Sequence, residues 1–415
     1  MKYVIIGNSA AGIGAVEGIR QVDPSGEITI ITNETHHTYS RPLISYLLLG
    51  KTTEQRMLYR GDTFYEDNAC TVLRGVTATE LDVAAQCVVL DSGERVPYDK
   101  LLVATGSRAF VPPFEGLETV SSKCSFMSLD DARTLDAMLD RDKRVLIIGA
   151  GLIGLKCAEG ILDKVAQLTV VDLAPKVLSS ILDDDSARLV QAHLEENGMH
   201  FILGDSVKRF EANTAFLESG SSVPFEVLVL AVGVRPNTEL LSGFAEIERG
   251  IVINERSETS AAGIYAAGDC TQTYDVSSGQ NRIMALLPNA YMQGECAGIN
   301  MAGGNASFDK AIPMNAIGFF GLHIITAGNY LGDVYSEYGE AEDGASKSFK
   351  RLFHSDNRLN GFILIGKVEK AGIYTSLIRE HTPLDSIDFE LVCSMPGLMA
   401  FTKKDRMIKL GGMTA

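Results

Sequence analysis

No stretch of this sequence approaches the roughly 18 uninterrupted apolar residues that a membrane-spanning helix needs. The opening residues, MKYVIIGNSA, do not read as a secretory leader, because a short apolar run passes straight into a glycine turn. A cytoplasmic location is the expectation. Cysteine is sparse and scattered: Cys70, Cys87, Cys124, Cys157, Cys270, Cys296 and Cys393 form no C-x-x-C pair and no tight cluster with histidine. Zinc and iron–sulfur sites usually bring their ligands together through short spacings, so no metal of the chain's own is expected. The thiols read as free and mostly buried. Basic charge is also short. The net charge of -16 leaves no phosphate-neutralising face, which excludes nucleic acid as an expected partner. Nor is there a nucleophilic triad or a paired-carboxylate signature, so no catalytic side chain is assigned.

What is present is glycine, in a repeated grammar. A chain of 415 residues exceeds one ordinary core. Two of its stretches read as strand, glycine turn, helix and second strand. The first runs from Tyr3–Ile6 through Gly7-Asn8-Ser9-Ala10-Ala11-Gly12 to Ile28–Ile31 and ends at Glu34. The second runs from Arg144–Ile148 through Gly149-Ala150-Gly151-Leu152-Ile153-Gly154 to Leu168–Val171 and ends at Asp172. In both, the acidic residue falls about 20 residues past the last glycine, as in a dinucleotide-binding unit. Such turns place a pyrophosphate at the helix N-terminus, where backbone N–H groups and the helix dipole favour an anion.

Within the second turn, Gly149 permits the sharp bend, Gly151 the approach of a pyrophosphate, and Gly154 close packing. A carboxylate at Asp172 suits the ribose hydroxyls of NAD and repels the 2′-phosphate of NADP, although Lys176 nearby softens that preference. In the first turn Ser9 replaces the middle glycine, and Glu34 takes the ribose role or is a solvated turn residue. Two further buried strands open into loops at Thr105-Gly106-Ser107-Arg108 and at Val232-Gly233-Val234-Arg235-Pro236, and a third ends at Ala266-Ala267-Gly268-Asp269. From about Ile312 the pattern changes to alternating strands and a helix around Ala371–Glu380, which reads as an α+β unit.

These ordered motifs resemble the FAD-dependent pyridine nucleotide–disulfide oxidoreductase superfamily over almost the whole chain. The resemblance implies an α/β fold with two Rossmann-like dinucleotide-binding domains and a C-terminal α+β interface domain. The FAD domain is expected over 1–112 and 241–311, the NAD domain over 113–240, and the interface domain over 312–415. The expected cofactor-binding set is Gly7, Ser9, Ala10, Ala11, Gly12, Glu34, Arg41, Pro42, Val76, Ala104, Thr105, Gly106, Arg108, Gly149, Gly151, Leu152, Ile153, Gly154, Asp172, Gly233, Gly268, Asp269 and Ala290. The segment Leu287–Gly294 resembles the family's helix facing the flavin.

Within the superfamily, Tyr39-Ser40-Arg41-Pro42-Leu43-Ile44-Ser45 is similar to a segment of NADH:rubredoxin and ferredoxin reductases and of the flavin region of nitrite reductase. It also resembles the flavin subunit of 2-oxoacid oxidoreductase complexes of the phenylglyoxylate type. Disulfide-reducing members carry a redox cysteine here, whereas residues 40–51 read SRPLISYLLLGK. Lys156 stands where the family commonly has glutamate, and it reads either as a snorkelling lysine or as a charge serving the nicotinamide or flavin.

The resemblance implies electron transfer between NAD(H) and an iron–sulfur protein, with a stably bound partner favoured. A stand-alone rubredoxin or ferredoxin reductase, a cysteine-dependent NADH oxidase or disulfide reductase, and a non-catalytic redox sensor are the alternatives. Self-association stays open, and Lys403, Lys404, Arg406 and Lys409 form a basic stretch that is either a docking patch or a solvated face.

Overall fold

In the computed structural model, which describes residues 1–340 and 347–410, the first apolar run forms the Lys2–Ile6 strand. It lies at the centre of a five-stranded parallel sheet. Glu27–Thr32 pairs with it on one side and Lys100–Val103 on the other, with Cys70–Arg74 and Ile264–Ala266 at the edges. The second run forms Arg144–Ile148, the centre of another five-stranded parallel sheet. Gln167–Asp172 and Val227–Leu230 flank it, and His200–Leu203 and Lys123–Ser125 close the edges. Parallel strands are covered on both faces, which is why these segments read as near-continuous Val, Ile and Leu. Along the first central strand, Tyr3 and Ile5 pack toward the Ala10–Val22 helix. Val4 and Ile6 pack on the opposite face against Leu81, Val88, Leu90 and Val96.

Those last four residues belong to a three-stranded antiparallel ribbon, Ala78–Asp82, Cys87–Leu90 and Arg95–Pro97. A similar ribbon, Val207–Glu211, Thr214–Leu217 and Ser222–Pro224, sends Phe210, Ala215, Leu217 and Val223 into the core of the second sheet. The Ala10–Val22 helix lies against Leu287–Met301 at backbone contact. A Cβ added at Gly14 would stand 2.3 Å from the Tyr291 carbonyl oxygen, and one at Gly298 2.2 Å from that of Ala15.

The described chain divides into two compact units. One comprises 1–180, 190–273 and 281–309, so both parallel sheets, expected as separate domains, share it. The other comprises 181–189, 274–280 and 310 onward. The latter has the expected antiparallel sheet, in the order Met314–Phe319, Leu322–Gly328, Arg358–Ile365, Lys347–Ser355, Asp333–Glu340. The Ala371–Arg379 helix packs Tyr374, Leu377 and Ile378 onto Phe362 and Leu364. Among the described residues, no helix is long and apolar enough to cross a membrane.

Candidate dinucleotide sites

Both glycine turns sit at the carboxyl end of a central strand whose neighbours lead off in opposite directions, the place where open α/β sheets bind ligands. The two turns superimpose in logic, residue for residue. Gly7 has φ +120° and Gly149 φ +115°. Their N–H groups donate to Ile31 and Val171 carbonyls at 2.9 and 2.8 Å. A Cβ would lie 2.1 Å from the Ala104 oxygen at Gly7 and 2.2 Å from the Ala231 oxygen at Gly149. At the third positions, a Cβ on Gly12 would stand 2.1 Å from the Gly7 oxygen, and one on Gly154 2.0 Å from the Gly149 oxygen. These four glycines are required by the backbone itself.

The middle position is different. Ser9 (φ -103°, ψ -164°) and Gly151 (φ -83°, ψ -174°) are extended helix N-caps that any residue can adopt, and neither helix receives a side-chain cap bond. A Cβ on Gly151 would meet nothing within 4 Å. Ser9 therefore replaces glycine without backbone strain, and Gly151 leaves an open cradle in front of the N–H groups of Leu152 and Ile153.

Around the first turn the structure gathers most of the expected set. Arg41 donates from Nε to Ser9 Oγ at 3.4 Å and from Nη1 to the Met127 carbonyl at 3.3 Å, and its Nη2 pairs with Glu34. Val76 and Gly75 donate their N–H groups to the Thr32 and Glu34 carbonyls, which fixes the end of the second strand. Pro42 is the second residue of the Arg41–Leu43 3-10 turn. A Cβ on Gly268 would lie 3.2 Å from the Ala11 Cβ and 3.5 Å from the Ala290 Cβ, so turn, late loop and the Leu287–Met301 helix meet there.

Asp269 accepts from the Ser107 hydroxyl at 3.4 Å. Burial pushes its carboxyl above the usual range, opposed by Ser107 and by the charge of Arg41. Further neighbours join the site, of which sequence reasoning missed Tyr65. Tyr65 donates to Asn8 Oδ1 at 2.9 Å and accepts from the Thr38 N–H at 3.2 Å. His37 lies against the Tyr65 ring. Gln293 accepts from the Gly268 N–H at 2.8 Å. No spacing rule marks Tyr65, which reaches the turn from the separate Phe64–Asp67 helix.

At the second turn, Asp172 accepts from the N–H of Ala150 at 2.6 Å and from that of Ala174 at 2.7 Å. It is a brace for the turn as well as the expected ribose acceptor. We expect NADH to reduce the holoenzyme faster than NADPH. Asp172→Asn keeps an acceptor but removes the charge, and should narrow that advantage by roughly tenfold, about 1.4 kcal/mol. Stopped-flow reduction with the two nucleotides measures it, and equal rates in the wild type would refute the reading.

Thr105, Gly106, Arg108 and Gly233 lie in the paired crossings between the sheets. Ser107–Ala109 pairs antiparallel with Val234–Pro236. Thr105 Oγ1 donates to the Asn237 carbonyl at 2.6 Å, and the Asn237 side chain returns a bond to the Thr105 carbonyl at 2.9 Å. Arg108 is engaged by Asn237 Oδ1 and Glu239, at 2.7 Å each, rather than by either glycine turn. His36, at the periphery, meets Asp130 at 2.8 Å.

Six of the seven thiols are shifted away from activation. Burial pushes Cys70, Cys270 and Cys393 up to about 11 and Cys124 up to about 12, and it raises Cys157 and Cys296 as well. Cys87 is buried in the first antiparallel ribbon with its sulfur beside Arg95. Among the described residues, no three His, Cys, Asp or Glu side chains group to hold a metal ion. An anaerobic titration should accordingly take up two electrons per flavin with no extra thiol equivalents. A thiolate–flavin charge-transfer band would overturn this.

The architecture is that of a protein binding two dinucleotides on paired Rossmann-like sheets. The model of the family described as pyridine nucleotide-disulphide oxidoreductase matches residues 1–294, and the chain belongs to that family. It is an FAD-dependent NAD(H) oxidoreductase. The rubredoxin NAD+ reductase C-terminal domain matches residues 313–382. The chain is 30% identical over 404 residues to the NADH-dependent phenylglyoxylate dehydrogenase subunit epsilon of Aromatoleum evansii, covering 95% of each. It is 28% identical to the assimilatory nitrate reductase electron transfer subunit of Bacillus subtilis, but spans only 49% of that protein. The covalent putidaredoxin reductase–putidaredoxin complex has the same fold, with a TM-score of 0.87 at 22% identity, covering 99% of each chain.

The residues present fit both cofactors. Among the described residues, His37 Nε2 and Thr38 Oγ1 are buried polar atoms with no partner beside the first turn, Asp269 is a half-buried carboxylate short of donors, and the Gly151 cradle is open.

Proposed function

We propose that this chain moves electrons between NAD(H) and an iron–sulfur protein, as the flavin subunit of a 2-oxoacid oxidoreductase complex. When bound, FAD exchanges a hydride equivalent with the nicotinamide and single electrons with an iron–sulfur centre. The chain's own residues bind and orient. Ser9, Arg41 and the N–H groups of Ala10 and Ala11 would hold the FAD pyrophosphate, Glu34 its adenosine ribose, and Asp269 its ribityl or pyrophosphate end. Gly151, Leu152 and Ile153 would hold the NAD pyrophosphate, and Asp172 its ribose. No side chain need move a proton.

The observation that carries the reading is two braced dinucleotide turns in a chain that has no cysteine in residues 40–51 and in which burial raises the pKa of six of its seven thiols. With no thiol relay, the electrons are passed to a separate partner. A relative of nearly equal length, named as a subunit of an NADH-dependent phenylglyoxylate dehydrogenase, supports a stable complex. An acidic reductase gains from such a complex, because it need not attract a diffusing acidic carrier at long range. The match of residues 313–382 to a rubredoxin reductase domain favours the second reading, a stand-alone reductase. Native purification followed by iron analysis decides between them. An iron-bearing companion at fixed stoichiometry is expected. An iron-free preparation that turns over rapidly with free rubredoxin would overturn the stable-complex reading.

A further inference from the structure

The Leu152–Ile161 helix, which issues from the second turn, carries a charged pair in a packed contact. The Lys156 ammonium is ion-paired with Glu159 and lies 4.6 Å from the centroid of the Tyr46 ring. Their side chains are only 16% and 5% exposed. Tyr46 belongs to the short Ile44–Leu48 helix, which follows Arg41-Pro42 and so issues from the segment bonded to the first turn. The two helices touch closely: a Cβ on Gly160 would lie 3.1 Å from the Ser45 carbonyl oxygen and 3.3 Å from the Leu48 Cβ. Lys156 thus sits on the seam between the segments that serve the two cofactors.

A packed contact of this kind does not need charge. Replacing a buried ion pair by apolar residues is often neutral or stabilising, so the pair is not explained by packing alone. Its direction matters. Lys156 lies about 6 Å along the helix from Leu152, and Glu159 about 4.5 Å further. Helical side chains also lean back toward the N-terminus. Of the two, Lys156 stands nearer the second turn along the helix, and Glu159 is the more deeply buried. Hydride transfer requires the nicotinamide and flavin rings to meet between the two turns.

We propose that Lys156 is an electrostatic positioning residue for this reaction. Held between Tyr46 and Glu159, it presents a fixed positive charge to the ring contact and favours the more negative, reduced state of the flavin. The inference rests on the two-dinucleotide reading above.

The test is the two-electron midpoint potential of the FAD-loaded protein, with thermal unfolding followed in parallel. Lys156→Gln should make flavin reduction about tenfold less favourable, a shift of about 30 mV to more negative potential for a two-electron couple. Lys156→Arg should preserve the wild-type value. The double variant Lys156→Gln/Glu159→Gln should keep the negative shift while relieving the stability cost of an unpaired Glu159. An unchanged potential in Lys156→Gln would overturn the proposal. So would a double variant restored to the wild-type potential, since Lys156 would then only neutralise Glu159. A wild-type protein that NADH fails to reduce would instead overturn the reading on which the proposal rests.

Discussion

Gly151→Val should slow flavin reduction by NADH by about 100-fold or more while the protein keeps its FAD and its fold. The expectation comes from the contrast among the glycines of one turn. At Gly149 and Gly154 a side chain would collide with the Ala231 and Gly149 carbonyl oxygens at 2.2 and 2.0 Å, so substitution there damages the backbone. At Gly151 the backbone is ordinary extended chain, and the added atoms would enter open space. Valine is a poorer N-cap than glycine, which costs up to about 1 kcal/mol. The remaining effect falls on whatever occupies the cradle. A pyrophosphate pushed aside there displaces the nicotinamide, and a misplacement near 1 Å is worth about 100-fold in rate. Stopped-flow reduction by NADH, with dithionite reduction as the control for flavin access, separates the two effects. Unimpaired reduction by NADH in a folded, yellow Gly151→Val protein would show that the second turn does not hold the nucleotide.

The same contrast explains how much of the site was legible in the sequence. Gly12 and Gly154 are fixed by carbonyl contacts inside their own turns, and Gly7 and Gly149 by their positive φ, so local spacing reveals them. The apolar strands leading into the turns are legible for a similar reason, since burial on both faces leaves no polar alternation. Ser9 looked like a departure from the pattern, yet its backbone shows that this position never required glycine for conformation.

What the sequence hid was brought in from a distance. Tyr65 reaches the first site from a helix 57 residues along the chain, with a bond to Asn8. Arg108 was legible as a charge beside a ligand loop, but its partners are Glu239 and Asn237, the latter 129 residues away and just past the antiparallel pairing strand. The two antiparallel ribbons were also missed. Their strands are three to five residues long, too short for period-two alternation to stand out. Asp172 was legible as an acceptor at the right spacing; its second task, bracing Ala150 and Ala174, is a matter of geometry alone.

Asp269→Asn should act in opposite directions on the apoprotein and on FAD binding. In the folded chain burial holds the Asp269 carboxyl above its usual range, with only partial relief from Ser107 and Arg41. A carboxyl whose folded pKa exceeds its unfolded value favours the folded state when both forms are protonated. That contribution is lost as pH rises through the folded value, because the unfolded chain then releases the proton more readily. At neutral pH Asp269 therefore costs the apoprotein stability, and asparagine removes the cost. The variant apoprotein should melt higher than wild type at pH 7, and the two should converge below the ordinary carboxylate range. With FAD bound, the same carboxylate is expected to accept bonds from the cofactor. Charged hydrogen bonds are worth about 1.5–3 kcal/mol, so the neutral amide should weaken FAD binding by roughly 10- to 100-fold. Thermal unfolding of apoprotein across pH, together with FAD titration by fluorescence quenching, reads both effects. A variant that binds FAD as tightly as wild type would remove Asp269 from the site. One that loses FAD and is also destabilised as apoprotein would show that Asp269 holds the loop rather than the cofactor.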